Sequence, residues 1–410
     1  MNTPQSKPWS IVVMLCATAT AGYICRVNVS TTAPLLMEEF GLSQIEMGRI
    51  FSAFLLGYAL FQIPSGMIAD RFGARRVLSW IAWLWVMLTV AQTFTGSGAF
   101  HVTAATALIV FMIFRFLTGI SASPTYPGSA QGVSQWVMPK FQGRANGIIL
   151  ASIGLGSALA PPLVSNIMVT MGWRTAMIVS AIPALVLAMI WIRIREPEHV
   201  KPDPSAQSRG TEKEMKSNIK SPGFYLLTIS YTLQGYVGYI FVTWFYLYLV
   251  QERQFSLLGG AWMSSLPWIL SIVSIPLGGY ISDKLAAGRS GPVWGRRIVP
   301  IAGMAFSGIL ISVGAHTASA VMAAISLAFA TALILCVEGP FWAMMMRIAG
   351  RKSGTAGGIM NMGSNLGGLI SPMLTPIIAS LIGWENALHV AAVLAVTGAI
   401  LWLWIKPRNK

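Results

Sequence analysis

A chain of 410 residues with 55% hydrophobic side chains, 10% charged ones and a mean hydropathy of +0.65 cannot cover a soluble surface of its size. Its apolar runs are continuous rather than alternating, which excludes an outer-membrane barrel and makes helices the expected spanning element. The net charge of +15 does not mark a nucleic-acid binder, because the basic residues fall in short loops between apolar runs and act as topology signals.

Crossing a bilayer takes about 20 apolar residues. On that measure the sequence predicts twelve spans, at 10–36, 50–69, 77–96, 103–125, 144–170, 174–193, 222–250, 258–282, 298–316, 319–346, 354–382 and 386–405. Lys7 followed by an apolar run and Ala17-Thr18-Ala19 has the outline of a signal peptide, but the run continues to about Leu36, so this segment is expected to remain as the first span. One set of loops carries Arg71, Arg75, Arg76, Lys140, Arg144, Lys284, Arg289, Arg296, Arg297, Arg347, Arg351 and Lys352; Lys7, Lys406, Arg408 and Lys410 lie on the same side. The opposite loops carry only Arg49, Arg174 and Arg253. This asymmetry predicts a multi-pass protein of the cytoplasmic membrane with both termini in the cytoplasm. The long polar stretch after Arg193, with Pro197, Pro202 and Pro204, reads as a linker, dividing the chain into a bundle at 1–193, a cytoplasmic linker at 194–221 and a second bundle at 222–410.

The two halves share a design. Gly143 to Trp173 and Gly354 to Trp384 align at a shift of 211 positions without a gap. Gly143, Ala145, Gly147, Ile148, Gly156, Pro161, Gly172 and Trp173 recur as Gly354, Ala356, Gly358, Ile359, Gly367, Pro372, Gly383 and Trp384. A period of half the chain means duplicated halves, and duplicated halves in membrane proteins point to a transporter with its site at the repeat interface.

Between spans two and three the chain reads Gly66-Met-Ile-Ala-Asp70-Arg71-Phe-Gly73-Ala-Arg75-Arg76. Gly66 permits close helix approach, Asp70 can cap a helix N-terminus or pair with a loop arginine, and Gly73 permits a tight turn. Gly279-Tyr-Ile-Ser-Asp283-Lys284 echoes it in the second half, with Arg296 and Arg297 beyond. The motif, the twelve spans, the central linker and the repeat together resemble the major facilitator superfamily over the whole chain. That resemblance implies an all-α membrane protein of two pseudo-symmetric six-helix bundles, working by alternating access, with spans one, four, seven and ten lining a central cavity.

Tyr23-Ile-Cys-Arg26-Val-Asn28, Arg115-Phe-Leu-Thr-Gly119, Gly143-Arg-Ala-Asn-Gly147 and Gly358-Ile-Met-Asn361-Met-Gly-Ser-Asn365-Leu-Gly-Gly368 resemble the anion:cation symporter branch, whose members carry organic anions such as sugar acids. Two positions depart from it. Cys25 and Ala122 stand where relatives carry acids associated with proton coupling.

Three ionisable residues lie well inside spans: Arg26, Arg115 and Glu338. Each costs roughly 2.5–3.5 kcal/mol at a helix centre and so calls for a function. Arg26 is the first candidate for a substrate carboxylate, since a guanidinium offers two parallel hydrogen bonds and stays charged. Tyr23, three residues earlier, shares its face. Arg115 reads either as a second anion contact or as an electrostatic latch between helices. Glu338 is the one mid-span carboxylate, either the proton carrier or a fixed counter-ion for an arginine, and Gly339-Pro340 suggests a helix break beside it. Tyr231 and Gln234 in span seven share a face and suit a hydroxyl-rich ligand or an interhelical bond. Asn361 and Asn365 in span eleven replace Leu150 and Gly154 of the first half and are further candidate contacts. Trp268 and Trp342 read as packing or cavity walls.

The remaining chemistry is sparse. Cys16, Cys25 and Cys336 lie inside spans as small packing residues. His101, His199, His316 and His389 fall in loops or near span ends and form no evident relay. No nucleophile–base pair, metal-ligand spacing or phosphate loop appears, so neither an enzyme nor a bound cofactor or metal is expected. The expected protein is a monomeric, proton-coupled importer of a small organic anion. Its rivals are an uncoupled facilitator or exchanger, a multidrug exporter, which needs an acidic rather than a basic cavity, and a membrane receptor, which needs a soluble domain.

Overall fold

The computed structural model describes residues 8–96, 102–194, 220–288, 291–349 and 353–406. Lys7, His101, His199, Arg289, Arg351, Lys352, Arg408, Lys410 and most of the 194–221 linker lie outside the described residues. Among the described residues the secondary structure is helical throughout: α1 (Pro8–Phe40), α2 (Gln44–Phe72), α3 (Ala74–Gln92), α4 (Ala104–Ala122), α5 (Thr125–Trp136), α6 (Pro139–Arg193), α7 (Pro222–Thr243), α8 (Phe245–Gln251), α9 (Leu257–Ala287), α10 (Gly291–His316), α11 (Ala320–Cys336), α12 (Glu338–Ala349), α13 (Ser353–Ile382) and α14 (Trp384–Leu401).

Helices and spans do not match one to one. Ten of the described helices are long and apolar enough to cross a membrane, eleven with the bent α7–α8 pair taken as one span; the 55-residue α6 is broken at Gly172, and counting its two parts separately gives the predicted twelve. Three crossings are interrupted. Span four is α4 continued by α5 to Trp136, well past its predicted end. Span seven bends by 51° where α7 meets α8. Span ten breaks at Val337, ahead of the Gly339-Pro340 expected to break it. The displacement follows from proline chemistry: Pro340 has no N–H to offer the preceding turn, so it sits within the first turn of the new helix, where that donor is not needed.

The duplication governs the backbone. Gly172 has φ 80° and ψ 164°, and its repeat partner Gly383 has φ 87° and ψ 158°. This combination is open only to glycine. In both halves it reverses the chain just before a buried tryptophan, Trp173 or Trp384. A second pair sets helix spacing. A Cβ on Gly156 would lie 2.6 Å from the Thr20 carbonyl and 2.9 Å from Tyr23 Cβ, and one on Gly367 would strike the Thr232 carbonyl and Tyr236 N. Only glycine lets α6 lie this close to α1 and α13 this close to α7, the most extensively packed helix pairs of their units.

The chain divides into two compact units, Met1–Lys201 with Ser256–Ser265, and Pro202–Phe255 with Leu266–Lys410. In the first, Leu15, Val77, Ile81, Trp85, Ala145, Ala184 and Trp191 form the core where α1, α3 and α6 meet.

Charged side chains close the helix ends, where the last carbonyls have no partner within the helix. Arg174 binds Glu39 through Nη2 at 2.6 Å and Nη1 at 3.0 Å, and donates to the carbonyls of Thr93 and Thr95. Arg253 donates to the carbonyls of Gly314, Ala315 and Thr317 within 2.8 Å. Two of the three basic residues on the sparsely charged side are thus committed to helix C-termini. On the basic side, Arg75 donates to the carbonyls of Trp191 and Ile192, and Arg297 to that of Ile405.

Candidate functional site

The predicted site residues form one cluster in each unit. In the first unit, α2 and α4 cross at glycines. A Cβ on Gly119 would strike the Phe54 carbonyl, and one on Gly57 would strike the Phe116 carbonyl. This contact carries Phe54 up to two guanidiniums at once. Arg26 on α1 lies 4.8 Å from the Phe54 ring centroid and Arg115 on α4 lies 4.6 Å from it, both within cation–π range. Arg26 also faces the rings of Tyr23 at 5.1 Å and Tyr58 at 5.7 Å, and its Nη1 donates to Tyr23 Oη at 3.2 Å, as their spacing predicts. Tyr23 Oη in turn lies 3.4 Å from Tyr126 Oη, at the start of α5.

Arg115 is only 4% exposed. Its Nη2 donates to the main-chain carbonyl of Arg26 at 3.2 Å, while Nε and Nη1 have no partner. Among the described residues of the first unit, no acid belongs to this cluster. Within residues 1–193 the carboxylates are Glu38, Glu39, Glu46 and Asp70, all near helix ends. Glu39 pairs with Arg174, and Glu46 completes a capping box with Ser43. Cys25 is buried with Sγ 3.8 Å from the Ser180 carbonyl, and Ala122 ends α4.

The second cluster surrounds Glu338, the first residue of α12. Tyr231 Oη donates to its Oε2 at 2.8 Å and Gln234 Nε2 to its Oε1 at 3.1 Å. Gln234 Nε2 also reaches the Ile334 carbonyl, the Tyr231 ring stands 4.8 Å from that of Phe341, and Trp342 lies alongside. The shared face of Tyr231 and Gln234 is therefore engaged in interhelical bonds to one carboxylate. Asn361 is half-buried and Asn365 buried on α13.

The loop motif is placed unevenly. Gly73, with φ 81°, joins α2 to α3. Arg75 caps the end of α6, while Asp70, Arg71 and Arg76 are exposed. Gly66 makes none of the close helix contact expected of it, since a Cβ there would meet nothing within 4 Å. The ion pair expected of Asp70 occurs instead at its counterpart: Asp283 lies 2.9 Å from Arg296.

Sequence reasoning missed Phe54, Tyr58 and Tyr126, which are the walls of the cationic cluster. Aromatic residues in a span carry no cost that singles them out. Only the polar continuation of span four past Pro124 could have signalled Tyr126. Among the described residues, no group of three or more histidine, cysteine or acidic side chains stands close enough to hold a metal ion.

The chain matches the family model of the Major Facilitator Superfamily over residues 12–372. It is 29% identical to the probable sulfoacetate transporter SauU of Cupriavidus necator, over 97% of this chain and 93% of that one. It is 26% identical to the hexuronate transporter of Bacillus subtilis, over 95% and 92%. Its fold is similar to that of a bacterial homologue of the human lysosomal transporter Spinster in an inward-facing, unoccupied conformation, with a TM-score of 0.82 at 18% identity over 99% and 98% of the two chains. The family match takes in the first copy of the repeat, the start of the second and both clusters, and the protein therefore belongs to the Major Facilitator Superfamily, as a multi-pass membrane transporter and not an enzyme.

Proposed function

We propose that the protein moves a small organic anion, a hydroxylated carboxylate or sugar acid, across the cytoplasmic membrane by alternating access of its two six-helix halves, 1–193 and 222–410, joined by the 194–221 linker. It acts as a monomer with both termini in the cytoplasm. One observation carries this reading: two guanidiniums meet on the Phe54 ring, and the deeper one, Arg115, is hydrogen-bonded only to a neutral carbonyl. Buried charge is costly unless balanced, and the missing balance is an anion that arrives and leaves. The cargoes named for the sulfoacetate and hexuronate relatives are anions. In this reading the half-buried Arg26 takes the carboxylate, and Tyr23 orients it. Arg115 supplies the second positive charge, and Asn361 and Asn365 contact the ligand's hydroxyls.

Import is coupled to protons, with Glu338 as the carrier. Its carboxylate is held by two neutral donors and enters none of the ion pairs among the described residues, so a proton can replace those bonds without stranding a cation. Tyr231 and Gln234 act through Glu338.

Purified protein in liposomes tests both parts. Arg26→Lys, which keeps the charge but loses the planar fork, abolishes uptake of the transported acid; undiminished uptake refutes the anion assignment. Glu338→Gln ends accumulation driven by an inward proton gradient while sparing counterflow. A second reading, an uncoupled facilitator or anion exchanger, is favoured by Cys25 and Ala122, which leave the cationic cluster without a protonatable carboxyl. Accumulation that ignores the pH gradient in the wild type selects it.

A further inference from the structure

We propose that Ser265 and Ser165 form a latch that holds the first turns of α9 on α6, and that release of this latch is a step of the transport cycle. This rests on the alternating-access reading above and adds residues that hold one of its states.

Ala158 has a carbonyl that its own helix cannot satisfy. In α6 that oxygen would accept from the N–H of residue 162, or in a tighter turn from that of residue 161, but both are prolines and have none. Ala158 is buried in a segment apolar enough to cross the membrane, where an unsatisfied carbonyl is costly. Ser265 of α9 supplies the donor, its Oγ lying 2.7 Å from the Ala158 carbonyl. Two turns further along α6, Ser165 donates the other way, to the Leu257 carbonyl at the start of α9, at 2.9 Å. Both serines are buried. The two bonds cross an antiparallel pair in opposite senses, and both lie within the first compact unit, which takes in Ser256–Ser265.

From Leu266 onward α9 belongs to the second unit, and Pro267, which removes a bond from the helix ladder, stands at that boundary. Movement of the second unit therefore acts on these two bonds through a weakened helix. Ser265 has another acceptor in its own helix, the Ala261 carbonyl at 3.1 Å, and keeps that bond when the latch opens. Ala158 has no such substitute and needs water, which an opening on this side admits. The latch thus exchanges a serine for water at one carbonyl. It belongs to the first copy of the repeat: Pro161 recurs as Pro372, but Met373 stands where Pro162 would recur and keeps its N–H for its own helix.

The test is made on the purified full-length protein with Ala261→Cys, a buried position one turn before Ser265. The rate at which a water-soluble maleimide labels this thiol is read against the parent protein as background. Ser265→Ala should raise the rate at least threefold, and Ser165→Ala should raise it too, which carries the test should the first variant fold poorly. Ser265→Thr keeps the hydroxyl and should label like the parent. Pro162→Ala returns an N–H to the Ala158 carbonyl, so adding Ser265→Ala to it should change the rate by less than about 1.5-fold. Unchanged labelling in the double serine variant, or an undiminished effect of Ser265→Ala beside Pro162→Ala, overturns the latch. Faster labelling with an unaltered rate of uptake in liposomes overturns its place in the cycle. Labelling needs no cargo: if the serine variants label faster while the wild type carries no organic acid, the latch stands and the organic-anion reading falls.

Discussion

Arg115 reaches the main-chain carbonyl of Arg26, 3.2 Å from its Nη2, so the two cations of the first unit are joined by a hydrogen bond and by a common ring rather than through an acid. On the proposed anion reading, such an arrangement serves ligand binding at the expense of stability. Arg115→Met keeps the bulk and removes the buried charge. The ligand-free protein should then unfold at an equal or higher temperature, with a gain of up to about 1 kcal/mol, because a hydrophobic residue in place of a buried charge is often neutral or stabilising. Anion binding should fall at least tenfold, about 1.4 kcal/mol. A purely structural Arg115 would show the reverse, lower stability with affinity kept.

The two bonds on Glu338 end on the same carboxylate, so their losses should not add. Tyr231→Phe removes one bond, at a cost of about 1 kcal/mol to stability, and Gln234→Leu removes two, the second to the Ile334 carbonyl, at a cost of about 1–2 kcal/mol. Each should reduce proton-driven accumulation. Combined with Glu338→Gln, however, Tyr231→Phe should have little further effect, giving a coupling energy of about 0.5–3 kcal/mol in a double-mutant cycle. Independent effects of the three substitutions on accumulation would mean that Tyr231 and Gln234 contact the ligand instead.

How far the sequence foretold this arrangement depends on what each residue costs. The deep arginines and Glu338 were visible because charge in a bilayer is expensive. The repeat was visible because Gly172 and Gly383 meet the same backbone demand, as do Gly156 and Gly367. Phe54, Tyr58 and Tyr126 were not, since an aromatic side chain in a span looks the same whether it meets lipid, core or a guanidinium. Hydropathy also cut span four short, because its second part, Thr125–Trp136, is rich in serine, glutamine and glycine. Neither the bond partners of Glu338 nor the capping role of Arg75 has a local signature. Both depend on helices brought together from distant parts of the chain.

Gly172 and Gly383 should be equally intolerant of a side chain. At φ 80° and 87° with ψ 164° and 158°, both lie outside the left-handed helical region that asparagine can enter. Alanine or asparagine at either position should cost about 1–3 kcal/mol, read as a lower thermal midpoint in detergent. An asparagine variant markedly more stable than the alanine one would mean that the joint relaxes to a different backbone and that the duplication does not fix it.

Four glycines of the repeat, all within helices, should split into two pairs by the sign of their response. Gly156→Ala forces a methyl against the Thr20 carbonyl, and Gly367→Ala one against the Thr232 carbonyl. Overpacking against backbone costs about 1–3 kcal/mol. Gly156→Ala should also weaken anion binding, because Tyr23, bonded to Arg26, lies on the surface being pushed. Gly147 and Gly358 face nothing within 4 Å, so alanine there should stabilise by about 0.5–1 kcal/mol through helix propensity alone. If Gly147→Ala and Gly358→Ala raise the melting temperature yet slow transport, these positions are packed closely in a conformation other than this one, and turnover requires reaching it. If instead all four substitutions lower stability alike, the helix spacing described for the two repeat pairs does not distinguish them.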